Sequence, residues 1–446
     1  MDDFARRAGA TCAGVPGDAT FTGFSLDSRS VAPGSLFLCI RGERVDGHDF
    51  GPQAIASGAT ALLTERELPG LPCIVAPSLV EALANFAKSV RAEFGGPVIG
   101  ITGSNGKTSS KEFVAAALSP LGPVLKNEGN RNTEYTAPLI WAELENHQAV
   151  VSEMAMRGFG QIDHLASIAK PTISIITMIG TAHAEMVGSR AGIARAKGEI
   201  LPHTSDLAIF WREDDFYGDL VAMAKTPVRT FGFSAEADCQ ILGYQALDWQ
   251  TSRILVQLGT DRFEFEIPTV GRHQALNAAA ALLAAQACGV DPLTACAAMR
   301  HVRLPEMRME PKQIDGVMFL MDNYNASPDS TVAAIRTMNE LPAQGRHVAV
   351  LGEMRELGNF AESGHRLVGK ALVGSRFDQV ILFGDSANWI EDEAVNLGFP
   401  AELITRAVDL NEIRERLLLL SEGDVVLIKG SRALGLEEAL PGASTK

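Results

Sequence analysis

Segment 100–109, with the sequence GITGSNGKTS, has the residue types and spacing of a phosphate-binding site. The apolar run Val98 to Ile101 overlaps its start and a helical pattern begins at Lys107, so we predict a strand, a glycine-rich turn and a helix in that order. Backbone N–H groups of such a turn hold phosphate oxygens, Lys107 adds a positive charge, and the Thr108 hydroxyl can reach Mg²⁺. The common motif is incomplete because Ile101 occupies its first glycine position, and the alternative is a glycine-rich turn with a solvated lysine.

Two further side chains follow apolar runs that read as buried strands. Glu153 ends the run that begins at Ala149, and His183 comes shortly after the run from Ile173 to Thr177. Ligands of open α/β sheets bind at the carboxyl ends of strands. Taken singly, such a residue is more often a structural hydrogen-bonding group. Beside a phosphate-binding turn, both become candidates for a functional site.

Composition restricts the class of protein. A chain of 446 residues exceeds what one hydrophobic core usually serves, which favours about two to four domains. The net charge of −15 repels a phosphate polymer, so we expect no nucleic-acid partner. The six cysteines lack zinc or thioredoxin-like spacing, and we expect reduced, buried thiols. No segment reads as an export signal or a membrane span, so we expect a cytoplasmic protein without membrane contact.

Alternating apolar runs and breakers predict an α/β protein with three domains. Residues 1–95 read as a small N-terminal α/β domain that ends at the breaker Gly95-Gly96-Pro97. Residues 96–304 read as a central doubly wound parallel sheet of the phosphate-loop type, with an antiparallel appendage between about 238 and 268. Residues 305–446 read as a Rossmann-like C-terminal domain, because its strands and helices alternate at intervals that suit parallel crossovers.

The turn also resembles known proteins. Residues 102–108, TGSNGKT, resemble the ATP loop of the Mur ligases and of folylpolyglutamate synthases. Residues 26–37 and 46–50 resemble the UDP-binding domain of Mur ligases, which the synthases lack. The resemblance implies that the N-terminal domain contacts a UDP-linked substrate through Ser28, Arg29, Asp46, Gly47 and His48.

The Mur ligase resemblance also implies roles for residues of the other two domains. ATP would be held by Gly103, Ser104, Asn105, Gly106, Lys107, Thr108 and Ser109 of the loop, by Asn277 at an adenine edge, and by Asp322 and Asn325 across a cleft. Mg²⁺ would be held by Thr108, Glu153, His183 and, if it is carbamylated, Lys197. The catalytic set would be Lys107, Glu153, His183, Lys197 and Arg308, with Asn130 at the substrate. By pattern alone, Lys197 would be a solvated helix lysine.

Segments 322–330, DNYNASPDS, and 350–358, VLGEMRELG, resemble one branch of the family. That branch uses ATP to join D-alanyl-D-alanine to UDP-N-acetylmuramoyl-tripeptide in peptidoglycan precursor synthesis, through an acyl phosphate. We therefore expect ATP, Mg²⁺ and these two substrates as partners of a monomeric ligase. The chain departs from the family pattern at Thr133, Thr136 and Met307. The alternatives are a Mur-like ligase with a different acid or amine, and an inactive nucleotide-binding paralogue.

Overall fold

A computed structural model describes residues 1–16, 18–42, 45–181 and 184–442 of the chain. Three separate sheets, each covered by helices, lie within residues 11–75, 98–267 and 310–429. The predicted α/β class with three sheet-containing regions is confirmed. The boundaries at 95 and 304 stay a prediction.

The first sheet has five strands in the order β1-β5-β4-β3-β2, and only β1 runs antiparallel to its neighbour. Phe4 and Ala8 of the first helix pack on one face with Leu83, while Ala54 packs on the other. The elements are α1 (Asp2–Ala8), β1 (Thr11–Ala13), β2 (Phe24–Ser25), β3 (Leu36–Leu38), α2 (Gly51–Ala56), β4 (Ala61–Thr64), β5 (Cys73–Val75) and α3 (Leu79–Glu93).

The central sheet has nine strands in the order β14-β13-β12-β11-β10-β9-β6-β8-β7. Strands β6 to β12 pair in parallel, and β12, β13 and β14 pair antiparallel, which confirms the predicted appendage. Helices α4, α9 and α10 cover one face of this sheet, and α5 and α7 cover the other. The elements are β6 (Val98–Thr102), α4 (Lys107–Leu118), β7 (Val124–Lys126), β8 (Ala149–Glu153), α5 (Gln161–Ala169), β9 (Ile173–Ile176), α6 (Ala184–Val187), α7 (Arg190–Gly198), β10 (Leu207–Trp211), α8 (Tyr217–Met223), β11 (Val228–Gly232), β12 (Cys239–Ala246), β13 (Ser252–Leu258), β14 (Asp261–Ile267), α9 (Arg272–Ala287) and α10 (Pro292–Met299).

The third sheet has six strands in the order β15-β16-β20-β17-β18-β19, all parallel except the hairpin of its first two strands. Helices pack on both faces, as expected of a Rossmann-like sheet. The elements are β15 (Glu310–Ile314), β16 (Val317–Met321), α11 (Pro328–Glu340), β17 (His347–Gly352), α12 (Ala361–Leu372), β18 (Gln379–Phe383), α13 (Asn388–Asn396), β19 (Ile404–Ala407), α14 (Leu410–Leu417) and β20 (Val425–Lys429).

The cysteine prediction is only partly right. All six thiols are free and four are buried, but Cys12 is exposed and Cys288 is half-buried. Cys12 lies on β1, the edge strand of the first sheet, with its Sγ 3.6 Å from Asp2 Oδ1 of α1. Across the described residues, no helix combines the length and apolar character needed to cross a membrane.

Candidate functional site

The phosphate-binding turn joins the end of β6 to the start of α4, as predicted. Its shape depends on Gly103 at φ +150°, where an added Cβ would lie 1.8 Å from Thr177 Oγ1, and on Gly106 at φ +82°. Both conformations favour glycine because it has no Cβ. The Ser104 N–H donates to Met178 O (2.8 Å) and the Thr177 hydroxyl donates to Asn105 O (2.6 Å). The turn is thereby fixed against the segment that follows β9.

Lys107 lies folded over this turn. Its Nζ donates to Gly103 O at 2.8 Å and to Ser104 O at 3.3 Å. Burial lowers the pKa of Lys107, and the nearby carboxylate of Glu153 opposes that shift. The ammonium group is therefore held where the phosphates of a nucleotide bound to the turn would lie.

Glu153 ends β8 beside the first turn of α4. Its Oε1 accepts from the Thr108 hydroxyl at 3.3 Å and from Asn132 Nδ2 at 2.7 Å. The side chain is buried, and Oε2 has no hydrogen-bond donor. Burying an unsatisfied carboxylate oxygen is costly, so Oε2 is a ready acceptor for a further group.

A buried lysine that the motif analysis did not select lies one turn beyond Lys107. Lys111 donates to Asn127 O at 2.6 Å and lies 3.8 Å from Glu153 Oε2. Asn127 also accepts from the Glu153 N–H at 2.7 Å. The only sequence signal for Lys111 is its four-residue spacing from Lys107, which places the two on one helix face.

Lys197 lies on α7 and is buried, contrary to the solvated position that its pattern alone indicated. Burial and the positive charge of Lys107 lower its pKa well below the ordinary value for lysine. A neutral amine is the form that reacts with CO₂ to give a carbamate, so the environment suits the modification that the family resemblance implies. His183, the other predicted residue of this region, lies outside the described residues.

Arg308 comes from the C-terminal region and reaches the turn. Its Nη2 donates to the Thr108 hydroxyl at 3.1 Å, and its guanidinium carbon lies 4.3 Å from the ring centroid of Tyr324. Met307, where the family usually has glycine, adopts φ +57°. A left-handed conformation is strained for methionine, which explains why glycine suits this position.

Asp322 and Asn325 follow β16, and both line the same cavity as Lys107. Asp322 Oδ2 forms an ion pair of 2.8 Å with the buried Lys429, which also donates to Asn325 O at 2.7 Å. The Asn325 side chain is exposed and accepts from the Ala326 N–H at 2.9 Å. Lys429 therefore sets the conformation of this loop, and the Asn325 side chain lies at the cavity wall with its Oδ1 bonded to the backbone.

Two contacts that join the central and C-terminal regions were missed from the sequence. The Ser327 hydroxyl, at the N-terminus of α11, donates to Asn105 Oδ1 of the turn at 2.9 Å. An added Cβ at Gly180 would lie 2.5 Å from Asp329 Oδ2, so this glycine allows the close approach. Burial raises the pKa of Asp329. The two regions are thus in contact around the phosphate-binding turn.

Asn277 lies under the turn, on the first half of α9. Its Oδ1 accepts from the Ser110 hydroxyl at 2.9 Å and its Nδ2 donates to Gln274 Oε1 at 2.9 Å. Its amide therefore ties α9 to α4, and one N–H remains free for a ligand. The side chain lines the cavity, so contact with a base stays a prediction.

The predicted residues of the N-terminal region lie apart from the turn. Arg29 is exposed and pairs with Asp27, whose pKa its guanidinium lowers to about 2. His48 is buried, with Nδ1 2.6 Å from Asp46 Oδ1 and Nε2 accepting from the Glu65 N–H at 3.0 Å. Both ring nitrogens are satisfied internally, so the His48 side chain supports the loop. An added Cβ at Gly47 would lie 2.4 Å from Ile40 O, which accounts for glycine there.

The segment with the two threonine departures lies at the cavity wall. Thr133 Oγ1 lies 3.0 Å from Thr136 Oγ1, and the Thr133 N–H donates to the same hydroxyl at 3.2 Å. The two departures from the family pattern are therefore partners of each other. Asn130, the predicted substrate residue, is exposed and lines the cavity. Its neighbour Asn132 makes the contact with Glu153.

A cavity of about 1570 Å³ lies beside the phosphate-binding turn, and residues of the central and C-terminal regions line it. Among the described residues, none before Ser104 lines it, so Ser28, Arg29 and Asp46 are not part of this cavity. Its wall includes most of the predicted ATP residues, namely Ser104, Asn105, Gly106, Lys107, Thr108, Ser109, Asn277, Asp322 and Asn325. It also includes Glu153 and Arg308 of the predicted catalytic set. The volume and the polar lining suit a nucleotide together with a second ligand.

Oxygen donors for a hard cation are present at the turn. The Thr108 hydroxyl and Glu153 Oε2, which accepts no hydrogen bond, are the ligand types that Mg²⁺ prefers. In the described ranges, no three His, Cys, Asp or Glu side chains come together as a complete metal site. A Mg²⁺ ion here would therefore need further oxygens, and phosphate oxygens of a nucleotide are the natural source.

Comparison with known families gives one consistent result. The family described as "Mur ligase middle domain" matches residues 101–285, "Mur ligase, glutamate ligase domain" matches residues 307–432, and "Mur ligase family, catalytic domain" matches residues 20–89. The UDP-N-acetylmuramoyl-tripeptide–D-alanyl-D-alanine ligase of Bacillus subtilis (strain 168) is 34% identical over 432 residues, which cover 93% of this chain and 92% of that protein.

Solved structures agree with the sequence relatives. A crystal structure of MurF from Acinetobacter baumannii superposes with a TM-score of 0.88 at 27% identity, covering 98% of this chain and 97% of that one. MurF ligase from Thermotoga maritima in complex with ADP superposes with a TM-score of 0.81 at 29% identity, covering 95% and 97%. The similarity therefore extends through all three sheets.

Proposed function

This chain belongs to the Mur ligase family, and we propose that it uses ATP to join D-alanyl-D-alanine to UDP-N-acetylmuramoyl-tripeptide in peptidoglycan precursor synthesis. One observation carries the proposal. The residues that would act on ATP surround one cavity at the phosphate-binding turn, in a chain that matches the named B. subtilis ligase along 93% of its length. We propose that the reaction takes place in the cytoplasm, because it consumes ATP and a UDP-linked precursor.

The chemistry explains why ATP is required. A carboxylate is a poor acyl donor because its carbonyl carbon carries no adequate leaving group. In the first step, a carboxylate oxygen of the tripeptide attacks the γ-phosphorus of ATP, the bond to the β-bridging oxygen breaks, and ADP leaves. In the second step, the dipeptide amine attacks the acyl carbon, phosphate leaves with the bonding pair, and the amine loses its proton. The net products are the amide, ADP and phosphate.

The chain's own residues would act by position and charge. Phosphoryl transfer makes little covalent demand on a protein, so the backbone N–H groups of the turn and Lys107 hold and neutralise the phosphates. Arg308 adds a second cation from the C-terminal side, at 3.1 Å from Thr108 Oγ1. Ser327 and Asp329 bring the C-terminal region against the turn and its neighbouring segment, and such closure would keep water away from an acyl phosphate.

Magnesium fits the donors at the turn. Thr108 and Glu153 would hold it together with His183 and a carbamylated Lys197, and a Glu153 Oε2 that accepts no hydrogen bond supports this set. When bound, Mg²⁺ supplies positive charge against the phosphate oxygens. Carbamylation would replace the buried amine of Lys197 with an anion, and the lowered pKa of Lys197 favours the neutral amine that reacts with CO₂.

The alternatives are less well supported. An inactive nucleotide-binding paralogue would not need Glu153 beside Thr108 with a free carboxylate oxygen. A ligase for another acid or amine would show its difference at the substrate wall. There, Thr133 and Thr136 depart from the family pattern, and their hydroxyl oxygens lie 3.0 Å apart. Ser28, Arg29 and Asp46 are the side chains that we propose for the UDP moiety.

Phosphate release tests the proposal. The assay contains ATP, Mg²⁺, UDP-N-acetylmuramoyl-tripeptide and D-alanyl-D-alanine, and each component is omitted in turn. We expect release, and a product heavier by the dipeptide minus water, only when all four are present. Release that needs neither organic substrate, or full activity with an unrelated amine, would contradict the proposed reaction.

A further inference from the structure

A completely buried lysine lies behind the phosphate-binding turn. Lys111 is on α4, four residues after Lys107, and its side chain has no exposed surface. Lysine is rarely buried completely unless it is paired, because removing an ammonium group from water is costly. No step of the proposed reaction requires a cation at this position. Its burial therefore needs an explanation.

The partners of Lys111 include two carboxylates. Its Nζ lies 3.4 Å from Glu112 Oε1 and 3.8 Å from Glu153 Oε2. Glu112 has a second partner in Lys126, a side chain that is 30% exposed. Of these two lysines, only Lys111 also pairs with Glu153, and it does so without donating a hydrogen bond to Oε2. The ammonium charge attracts Glu153 Oε2, and because this oxygen accepts no hydrogen bond it can still bind another ligand.

The shortest hydrogen bond of Lys111 acts on the other carboxylate oxygen of Glu153, Oε1, through the segment from 127 to 132. Lys111 donates to Asn127 O at 2.6 Å. The Asn127 side chain accepts from the Glu153 N–H and donates to Arg131 O, both at 2.7 Å. The segment from 127 to 132 then delivers Asn132 Nδ2 to Glu153 Oε1 at 2.7 Å. One ammonium group thus influences both oxygens of Glu153.

We propose that Lys111 is a positioning residue that orients Glu153 for the magnesium–nucleotide complex. The inference rests on the proposed function, because it assigns Lys111 to the same metal site. Without the ammonium group, Glu153 loses its nearby countercharge and segment 127–132 loses its anchor. The carboxylate then turns away from the site or recruits another partner, and the site binds Mg²⁺ more weakly.

The test measures ADP binding by titration calorimetry over a range of Mg²⁺ concentrations. The readout is the magnesium midpoint, the Mg²⁺ concentration that gives half of the full increase in ADP affinity. We expect Lys111→Met to raise this midpoint about tenfold, as is typical when a group that orients a metal ligand is removed. The affinity for ADP in a chelator should change by less than about twofold, because Lys111 does not face the cavity.

Lys126→Met is the matched control. It removes the other lysine that pairs with Glu112, at a partly exposed position, and should leave the midpoint within about twofold of the wild-type value. In a Glu153→Gln background, Lys111→Met should add no further change, since Lys111 acts through Glu153. Should Lys111→Met fail to fold, as thermal unfolding of the ligand-free protein would show, Lys111→Gln keeps a donor for Asn127 and should also raise the midpoint.

The outcomes separate the inference from the proposed function. A wild-type protein whose ADP affinity does not respond to Mg²⁺ would contradict the proposed metal site, and the inference with it. A wild-type response that Lys111→Met leaves unchanged, or shifts to lower Mg²⁺ concentrations, would overturn the inference alone. An equal effect of Lys111→Met in the Glu153→Gln background would also overturn it, because the lysine would then act independently of Glu153.

Discussion

Replacing Arg308 tests whether contact between the C-terminal region and the phosphate-binding turn is needed for turnover. In Arg308→Met, the side chain keeps much of its length and loses its charge and its donors. The change removes the 3.1 Å hydrogen bond to the Thr108 hydroxyl and the stacking on Tyr324 at 4.3 Å. Both partners keep their own side chains, so the effect reports the loss of the contact together with the loss of the Arg308 charge at the cavity.

The magnitude follows from those two interactions. A hydrogen bond from a charged donor contributes about 1.5–3 kcal/mol, and a partly buried cation–π contact contributes about 0.5–2 kcal/mol. Because Arg308 is half-buried, we take a combined loss of roughly 2–4 kcal/mol. At about 1.4 kcal/mol per factor of ten, kcat/KM falls roughly 30-fold to 1000-fold. Arg308→Lys keeps the charge without the planar fork and should fall between the wild type and Arg308→Met.

Steady-state phosphate release with all four reaction components measures the effect. The control is Arg253→Met, which removes an exposed arginine that pairs with Glu266 on the antiparallel appendage. Its kcat/KM should stay within about twofold of the wild-type value. An Arg308→Met enzyme that is equally close to wild type would refute the reasoning, since the contact would then contribute nothing to the reactive state.

Four further outcomes follow from individual side chains. Lys107→Met should abolish phosphate release while the far-ultraviolet circular dichroism stays unchanged, because the half-buried Lys107 lines the cavity at the phosphate-binding turn; turnover at the wild-type rate would be inconsistent with that role. Activity should fall in buffer depleted of CO₂ and recover on adding bicarbonate, and Lys197→Ala should show neither response; a wild type indifferent to bicarbonate would argue against carbamylation. Burial lowers the pKa of His273 to about 4, so the folded state binds fewer protons than the unfolded state and stability falls as pH drops from about 6.5 to 4. Over that pH range, the unfolding free energy of the wild type, measured by urea titration, should fall by about 3 kcal/mol more than that of His273→Gln. An equal pH dependence of the two proteins would mean that the ring is solvated. Ser327→Ala should lower the unfolding free energy by about 1–2 kcal/mol, since it removes a helix cap and the bond to the turn, and no change would show that neither contributes.

Local patterns predicted the elements that build the site. The strand at Val98, the glycine-rich turn and the helix from Lys107 to Leu118 have residue types that specify them over short distances. The three antiparallel strands of the appendage were predictable because their apolar residues alternate. Family resemblance added Lys197, whose burial no periodicity indicates.

Contacts between distant segments could not be predicted from the sequence. The bond from Ser327 to Asn105 joins residues 222 positions apart, and each residue alone is an ordinary cap or turn residue. Lys111 was missed for a related reason, because its burial depends on Asn127 and Glu153 arriving from two other elements. His48 illustrates the reverse case, in which a residue selected by resemblance has both ring nitrogens satisfied inside its own domain.

The transfer of oxygen from the acid to phosphate tests the proposed activation most directly. The tripeptide substrate is prepared with ¹⁸O in the reacting carboxylate, and the phosphate released during one turnover is analysed by mass spectrometry. An acyl phosphate requires one labelled oxygen to leave with phosphate, because the carboxylate oxygen that attacks the γ-phosphorus stays bonded to it when the amine displaces phosphate. Unlabelled phosphate, or label found in AMP, would contradict the account.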